Sequence, residues 1–203
     1  MRIIGLTGGI CAGKSGVTKY LLRKGYPVID CDKITDELYT YQWFTDGLRH
    51  IFGKKIVYNG NVNRGKLGAL VFSDYKEMKK LNNYCLPLVF KEVKKRLALL
   101  IEEGHPFIFI DAPILFESGL DKEIEFTDFW VVSVEKVEQI RRLKQRKDYL
   151  TPRNIHNILN SQLSNKERLE YATFIIENNI KNRKLLYEKV DRGLRMIGAT
   201  VNN

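Results

Sequence analysis

The chain is expected to fold as a doubly wound α/β protein around a parallel sheet of about five strands, and three observations carry that expectation. Short apolar runs recur along its 203 residues, as strands buried on both faces of a parallel sheet require. Helical patterns separate most of those runs, and alternation of strand with helix favours right-handed crossover connections. The first run leads straight into a glycine-rich turn that opens a helix, an arrangement suited to cradling phosphate groups.

Strands are expected at Ile3-Ile4-Gly5-Leu6, Val28-Ile29, Phe107-Ile108-Phe109-Ile110, Phe129-Trp130-Val131-Val132-Ser133-Val134 and Phe174-Ile175-Ile176. Helices are expected over 14–24, in several pieces over 64–103, and over 135–147, 152–171 and 181–197. Between the second and third strands, residues 33–105 read mostly as helix, with turn signals at Tyr58-Asn59-Gly60-Asn61 and at Pro87. An insertion after a strand's carboxyl end is where α/β enzymes build substrate-binding caps; the alternative is an extra helical layer that only stabilises the sheet. No repeat, low-complexity tract or linker divides the chain. One unit is therefore expected, with a core over 1–32, 106–140 and 172–203, a helical insertion over 33–105, and a short helical lid with its following helices over 141–171.

Composition narrows the class. Hydrophobic residues make up 44% and charged residues 29%, a globular mixture without the signature of disorder. No apolar run approaches the roughly 18–20 residues that span a bilayer, and Met1-Arg2 leads into too few apolar residues for a signal peptide. A soluble, cytoplasmic protein is expected. Cys11, Cys31 and Cys85 form no CxxC pair, which argues against a disulfide framework and a zinc site. The net charge of +10 suits an anionic partner, whether nucleotide, coenzyme, nucleic acid or acidic membrane.

Chemistry enters at Gly8-Gly9-Ile10-Cys11-Ala12-Gly13-Lys14-Ser15, which satisfies the phosphate-loop pattern G-x-x-x-x-G-K-[ST]. The glycines permit backbone angles that let successive N–H groups converge on an anion. Lys14 supplies a compact positive charge for terminal phosphates. Ser15 opens the helix, where the dipole already favours negative charge and a hydroxyl can ligate Mg²⁺. A strand before and a helix after the motif supply the context it demands, and together they point to a three-layer P-loop kinase fold.

The guanine-reading N-K-x-D of GTPases is missing, since Asn165-Lys166-Glu167 continues into Arg168. A kinase needs a carboxylate near the acceptor hydroxyl, a cap for the acceptor, and cations for the transferring charge. Asp30 and Asp32 end the second strand, where side chains project into the ligand crevice. Asp32 is the candidate base or orienter of the hydroxyl, whereas Asp30 suits loop support or helix capping. Asp111 closes the third strand and fits two readings, an acid holding Mg²⁺ through water or simple strand termination. Arg141-Arg142-Leu143-Lys144-Gln145-Arg146-Lys147 is strongly basic; Arg142 and Arg146 share a helix face, placed as a mobile lid over phosphates would require.

Assembled in this way, the chain resembles the dephospho-coenzyme A kinase family over nearly its whole length. The carriers are Gly5-Leu6-Thr7-Gly8-Gly9-Ile10 with Gly13-Lys14-Ser15, Gly25 through Asp32, Phe52-Gly53, Arg64-Gly65-Lys66-Leu67, Val71-Phe72-Ser73-Asp74, Ala112-Pro113-Ile114-Leu115-Phe116-Glu117, Gln139 through Arg146, Ile158-Leu159-Asn160-Ser161-Gln162 and Arg168-Leu169. The resemblance implies transfer of the ATP γ-phosphate to the ribose 3′-hydroxyl of dephospho-coenzyme A, with Mg²⁺ and without a nucleic-acid or membrane partner. It implies catalytic roles for Asp32, Lys14 and Arg142, and nucleotide contacts from Gly8, Gly9, Ile10, Cys11, Ala12, Gly13, Lys14, Ser15, Gly16, Arg142, Arg146 and Asn178. Acceptor contacts fall to Thr7, Asp32, Arg64, Leu115, Phe116 and Glu117, and metal contacts to Ser15, with Asp111 through water. The chain departs from the family pattern at Gly16 (commonly Thr), Leu86 (His), Gly68 and Asn165 (Arg), and Ile180 (Gly). Two rivals stay open: another small-molecule or nucleoside monophosphate kinase on this scaffold, and a nucleic-acid-binding protein that uses ATP as a switch.

Overall fold

The computed structural model describes residues 1–146, 155, 159–179 and 182–199. In chain order it contains β1 (Arg2–Gly8), α1 (Lys14–Arg23), β2 (Val28–Asp30), α2 (Cys31–Leu38), α3 (Gln42–Phe52), β3 (Val57–Tyr58), β4 (Asn61–Val62), α4 (Arg64–Ser73), α5 (Tyr75–Glu102), β5 (Phe107–Asp111), α6 (Leu120–Glu123), β6 (Asp128–Ser133), α7 (Lys136–Arg146), α8 (Asn165–Leu169), β7 (Phe174–Glu177) and α9 (Arg183–Met196). It divides into two units, Met1–Asp30 with Lys94–Asn203, and Cys31–Val93.

The first unit is built on a five-stranded sheet in the order β2-β5-β1-β6-β7, with every pair parallel. β1 lies at the centre, in register with β5 from Arg2 opposite Phe107 and with β6 from Ile4 opposite Asp128. Every residue of β1 after Arg2 is buried, which is why its sequence reads as a continuous apolar run and not an alternation. Ile4, Leu6, Phe109, Trp130 and Val132 of the sheet pack with Val17, Tyr20 and Leu21 of α1 and Leu186, Val190 and Leu194 of α9. Each such aliphatic or aromatic side chain stabilises the fold by about 1.5–3 kcal/mol relative to exposure.

This topology sets the site. Parallel strands deliver their carboxyl ends to one edge, so β1 gives way there to residues 9–13 while Asp30 and Asp111 sit side by side in register at the ends of β2 and β5. Ser133 and Glu177 end β6 and β7 at the same edge.

The second unit buries Ile34, Leu38, Phe44, Leu48, Phe52, Ile56, Leu67 and Val71. The turn signal at residues 58–61 makes a two-stranded hairpin, β3–β4, with Asn59 (φ 47°) and Gly60 (φ 78°) both left-handed, as a tight hairpin turn requires. Pro87 makes no turn: α5 runs through it for 28 residues. Proline removes one backbone donor from the helical ladder, and buried Val89, Val93 and Leu97 hold the remainder of the helix in place. The helix expected over 14–24 spans Lys14–Arg23, and those expected over 135–147 and 181–197 span Lys136–Arg146 and Arg183–Met196. Residues 147 and 181 lie outside the described residues, as does much of the helix expected over 152–171. Its described part contains α8, opened by a reciprocal capping box between Ser164 and Glu167.

Candidate active site

The loop between β1 and α1 begins with a turn in which the Ala12 N–H donates to the Gly9 carbonyl (3.0 Å). Gly13 adopts φ 100°, and a Cβ there would stand 2.2 Å from the Asn178 amide nitrogen; glycine is required on both counts. At Gly9 a Cβ would meet the end of the Gln139 side chain, its amide nitrogen 2.7 Å away, so a larger residue there would push that amide from its place on the loop. Cys11 holds a left-handed φ of 61° without being glycine.

Side chains of the protein body hold the loop by its carbonyls. Gln139 of α7 donates to the Ile10 carbonyl (2.8 Å), and Asn178, just past β7, donates to the Ala12 carbonyl (2.7 Å). The Arg142 guanidinium reaches the carbonyls of Cys11 and Ala12 at 3.5 and 3.4 Å and that of Asn178 at 2.6 Å. In a planar trans peptide the carbonyl and the next N–H point in opposite directions. Fixing the carbonyls of Ile10 and Ala12 therefore turns the N–H groups of Cys11 and Gly13 the other way, at the loop that leads into α1. Convergent N–H groups at a helix mouth bind anions.

Arg142 is oriented in turn by Glu138, four residues earlier on α7, which accepts its Nε–H (2.6 Å). Hydrogen bonds from Arg141 and then Arg142 hold the Glu138 carboxyl well below the usual range, at about 2, so it stays ionised at any physiological pH. The same bonds raise Arg141. Arg146 ends α7, exposed.

Lys14 pairs with Oδ1 of Asp111, whose other oxygen accepts the Thr18 hydroxyl. Thr18 also donates to the Lys14 carbonyl (3.2 Å). Asp111 is 2% exposed, and a carboxylate buried to that degree needs such partners. Ser15 is exposed on the first turn of α1.

Thr7 is fully buried and donates to the Pro113 carbonyl (3.2 Å), tying β1 to the segment that carries Leu115, Phe116 and Glu117. Leu115 is buried. Phe116 stacks on Tyr171 with ring centroids 4.5 Å apart. Glu117 accepts from Arg168 Nη2 (2.6 Å) and from the Leu163 N–H (2.9 Å). In the second unit, Asp32 is exposed in the first turn of α2. Arg64 opens α4, pairs with Asp36 (2.7 Å) and lies 4.4 Å from the Tyr39 ring centroid.

Gly16 faces Leu186, whose Cδ2 stands 3.0 Å from where a Cβ would be, so this leucine fills space that a threonine would otherwise need. Asn165 donates to the Ser133 hydroxyl (2.8 Å). Gly68 lies against Phe72, Leu86 is half-buried within α5, and Ile180 lies outside the described residues. Thr18, Gln139 and Gln162 were given no role from sequence. For Thr18 the signal was present: it stands four residues after Lys14, one turn along the same helix face.

A parallel sheet in this order, with an N–H cradle, a lysine and a buried aspartate at its carboxyl edge, defines a small-molecule kinase of the phosphate-loop class. The family model for dephospho-CoA kinase matches residues 2–183, and the chain belongs to that family, ATP-dependent enzymes of the last step of coenzyme A biosynthesis. The dephospho-CoA kinase of Fusobacterium nucleatum is 40% identical over 197 residues, covering 95% of this chain and 96% of that one. That of Carboxydothermus hydrogenoformans is 34% identical, covering 88% and 86%. A solved structure from Thermus thermophilus superposes with a TM-score of 0.79 at 28% identity, covering 100% of this chain and 98% of the other. Shikimate kinase from Acinetobacter baumannii shares the fold, with a TM-score of 0.56 at 13% identity, covering 97% and 93%.

Proposed function

We propose that this chain transfers the γ-phosphate of ATP to the ribose 3′-hydroxyl of dephospho-coenzyme A, giving coenzyme A and ADP. The observation that carries this reading is the loop held by its carbonyls, an anion cradle already shaped for a polyphosphate, in a chain of this family. Residues 8–16, with Asn178, would bind the nucleotide. Lys14 would exchange Asp111 for the terminal phosphates, and Arg142 and Arg146 would add positive charge around the transferring group. The unit Cys31–Val93 would hold the coenzyme, with Arg64 as an anion contact, while Thr7, Leu115, Phe116 and Glu117 shape the acceptor side. Asp32 would accept the proton of the 3′-hydroxyl as that oxygen attacks phosphorus.

The residues fit a magnesium ion that arrives with the nucleotide. Among the described residues no group of three or more His, Cys, Asp or Glu could hold a metal, so a self-standing metal centre has no donors there. The Ser15 hydroxyl offers one direct ligand, and Asp111, with both oxygens engaged, offers contact through water. Bound there, the ion would neutralise charge on the β- and γ-phosphates. We further infer a cytoplasmic enzyme without nucleic-acid or membrane partners. Among the described residues no helix is long and apolar enough to cross a membrane, and no nucleic-acid-reading motif occurs in the sequence.

The test measures ADP formation across a panel of acceptors with Mg²⁺. Dephospho-coenzyme A is expected to stimulate strongly and EDTA to abolish the signal. Strong stimulation by AMP or CMP with none by dephospho-coenzyme A would overturn the assignment. Asp32→Asn is expected to lower kcat by about 10²–10⁴-fold with little change in ATP affinity. Collapse of ATP binding with high residual turnover would instead make Asp32 a structural or metal-site residue.

A further inference from the structure

The backbone at Ile10 is bonded on both sides, and by side chains from two different segments. Its N–H donates to Gln162 Oε1 (3.0 Å), and its C=O accepts from Gln139 Nε2 (2.8 Å). Gln139 comes from α7, whereas Gln162 precedes α8. We propose that Gln139 and Gln162 are positioning residues that bracket Ile10 and set the shape of the phosphate loop for nucleotide binding. This rests on the kinase reading above.

Three observations support the bracket. First, the roles of the two amides are fixed by chemistry, because an N–H can only be met by an oxygen and a carbonyl only by a donor. One glutamine must therefore act as acceptor and the other as donor. Second, the Gln162 end is anchored. The next residue, Leu163, donates its N–H to Glu117 Oε1, which also accepts from Arg168, a side chain 2% exposed. That chain of contacts fastens the glutamine to the protein interior, so the loop is held against a rigid support. Third, the bracket borders a cavity of about 440 Å³ lined by Gly9, Ala12, Gln139, Gln162, Asn165 and Arg168 among others.

The consequence is directional. The peptide following Ile10 carries the Cys11 N–H, so the Gln139 bond decides which way that N–H points. Gln162 holds the peptide before it, which carries the Ile10 N–H itself. Losing the Gln139 bond lets the Ile10–Cys11 peptide turn and takes the Cys11 N–H out of line; losing the Gln162 bond leaves the Gly9–Ile10 peptide held only through the Ala12 N–H on the Gly9 carbonyl, and the loosened loop binds nucleotide more weakly. The acceptor's grip, built from other residues, is untouched.

The test compares four variants of the full chain, Gln139→Leu, Gln139→Glu, Gln162→Leu and Gln162→Glu, by steady-state kinetics and by hydrogen exchange at the Ile10 amide. The leucine variants keep the aliphatic stem and lose the polar end; each is expected to raise KM for ATP about tenfold, the loss of roughly one hydrogen bond, while KM for the acceptor stays within twofold. Gln162→Glu keeps an oxygen for the Ile10 N–H and is expected to restore Ile10 protection that Gln162→Leu loses. Gln139→Glu sets a carboxylate against a carbonyl and is expected to rescue nothing. Unchanged KM for ATP in both leucine variants, equal rises in both KM values with a lowered melting temperature, or rescue by glutamate at position 139 instead of 162 would each overturn the bracket. A wild-type protein inactive toward dephospho-coenzyme A would overturn the functional reading alone, since Ile10 exchange and calorimetry of Mg·ATP binding still decide the bracket.

Discussion

Cys11 shows how closely individual residues are tuned in the loop. Its φ of 61° crowds Cβ against the backbone, at a cost of about 1–2 kcal/mol for an L residue. Glycine would remove that cost but add conformational freedom to the unfolded chain, worth about 0.4–1 kcal/mol in the opposite sense. Cys11→Gly is therefore expected to raise the melting temperature slightly, by about 1–3 °C for a chain of this size. A calorimetric scan showing a fall of several degrees would mean that the thiol contributes packing that outweighs backbone strain. Residues of this loop differ in how legible they were. Gly13, Lys14 and Ser15 announce themselves because the phosphate-binding chemistry fixes their types and spacing. Gln139 and Gln162 lie 129 and 152 residues from Ile10, and no local pattern records that two amides will meet one peptide. Arg142 was legible as a cation near phosphates, but its contacts to the carbonyls of Cys11, Ala12 and Asn178 follow only from where α7 is set down.

At the level of elements, the strands were the easiest to read, because burial on both faces leaves an unbroken apolar run. Val28-Ile29 was found even though β2 has only three residues. The hairpin at 57–62 was legible as a turn but not as strands, since two residues on each side carry no period. Pro87 misled for a physical reason: a proline turn signal is local, while the burial of Val89, Val93 and Leu97 that favours helix after it is tertiary. α7 illustrates the reverse case, where local sequence decides. Glu138 lies three and four residues before Arg141 and Arg142, so both guanidinium groups reach it within one turn. Its carboxyl pKa falls from the usual 4.5 to about 2 when folded. A depressed carboxyl pKa stabilises the folded state fully above the unfolded value and loses that contribution as pH falls through the folded one. The α7 pairs are thus expected to persist from neutrality to below pH 4 and to fail only as pH approaches about 2. Carboxyl NMR should place the Glu138 midpoint near 2 while the protein remains folded; a midpoint near 4.5 would show that the two arginines do not hold it, and that Arg142 is oriented by the loop carbonyls alone.

The whole molecule carries +10 charges and is proposed to bring together two polyanions, ATP and a coenzyme, which repel each other. A positive surface lowers that repulsion and steers both ligands inward, an effect on association more than on chemistry. Basic residues stand around the loop, with Lys136 and Lys166 lining the adjoining cavity and Arg146 exposed at the end of α7. Screening acts over a Debye length of about 10 Å at 0.1 M salt and about 8 Å at 0.15 M. Charges around the site but not touching substrate should therefore lose their influence first, while direct contacts such as that of Lys14 with phosphate survive. The expected result is a several-fold fall in kcat/KM for both substrates between about 50 and about 300 mM KCl, with kcat changed by less than about twofold. The same experiment separates this reading from a nucleic-acid partner. Duplex DNA bound through many phosphates would weaken with a steep power of salt concentration, about 0.9 per phosphate neutralised, and would inhibit ADP formation at low salt. A salt-insensitive kcat/KM would assign the surplus charge no part in substrate capture; tight duplex binding persisting at 150 mM would assign it to a second, nucleic-acid ligand.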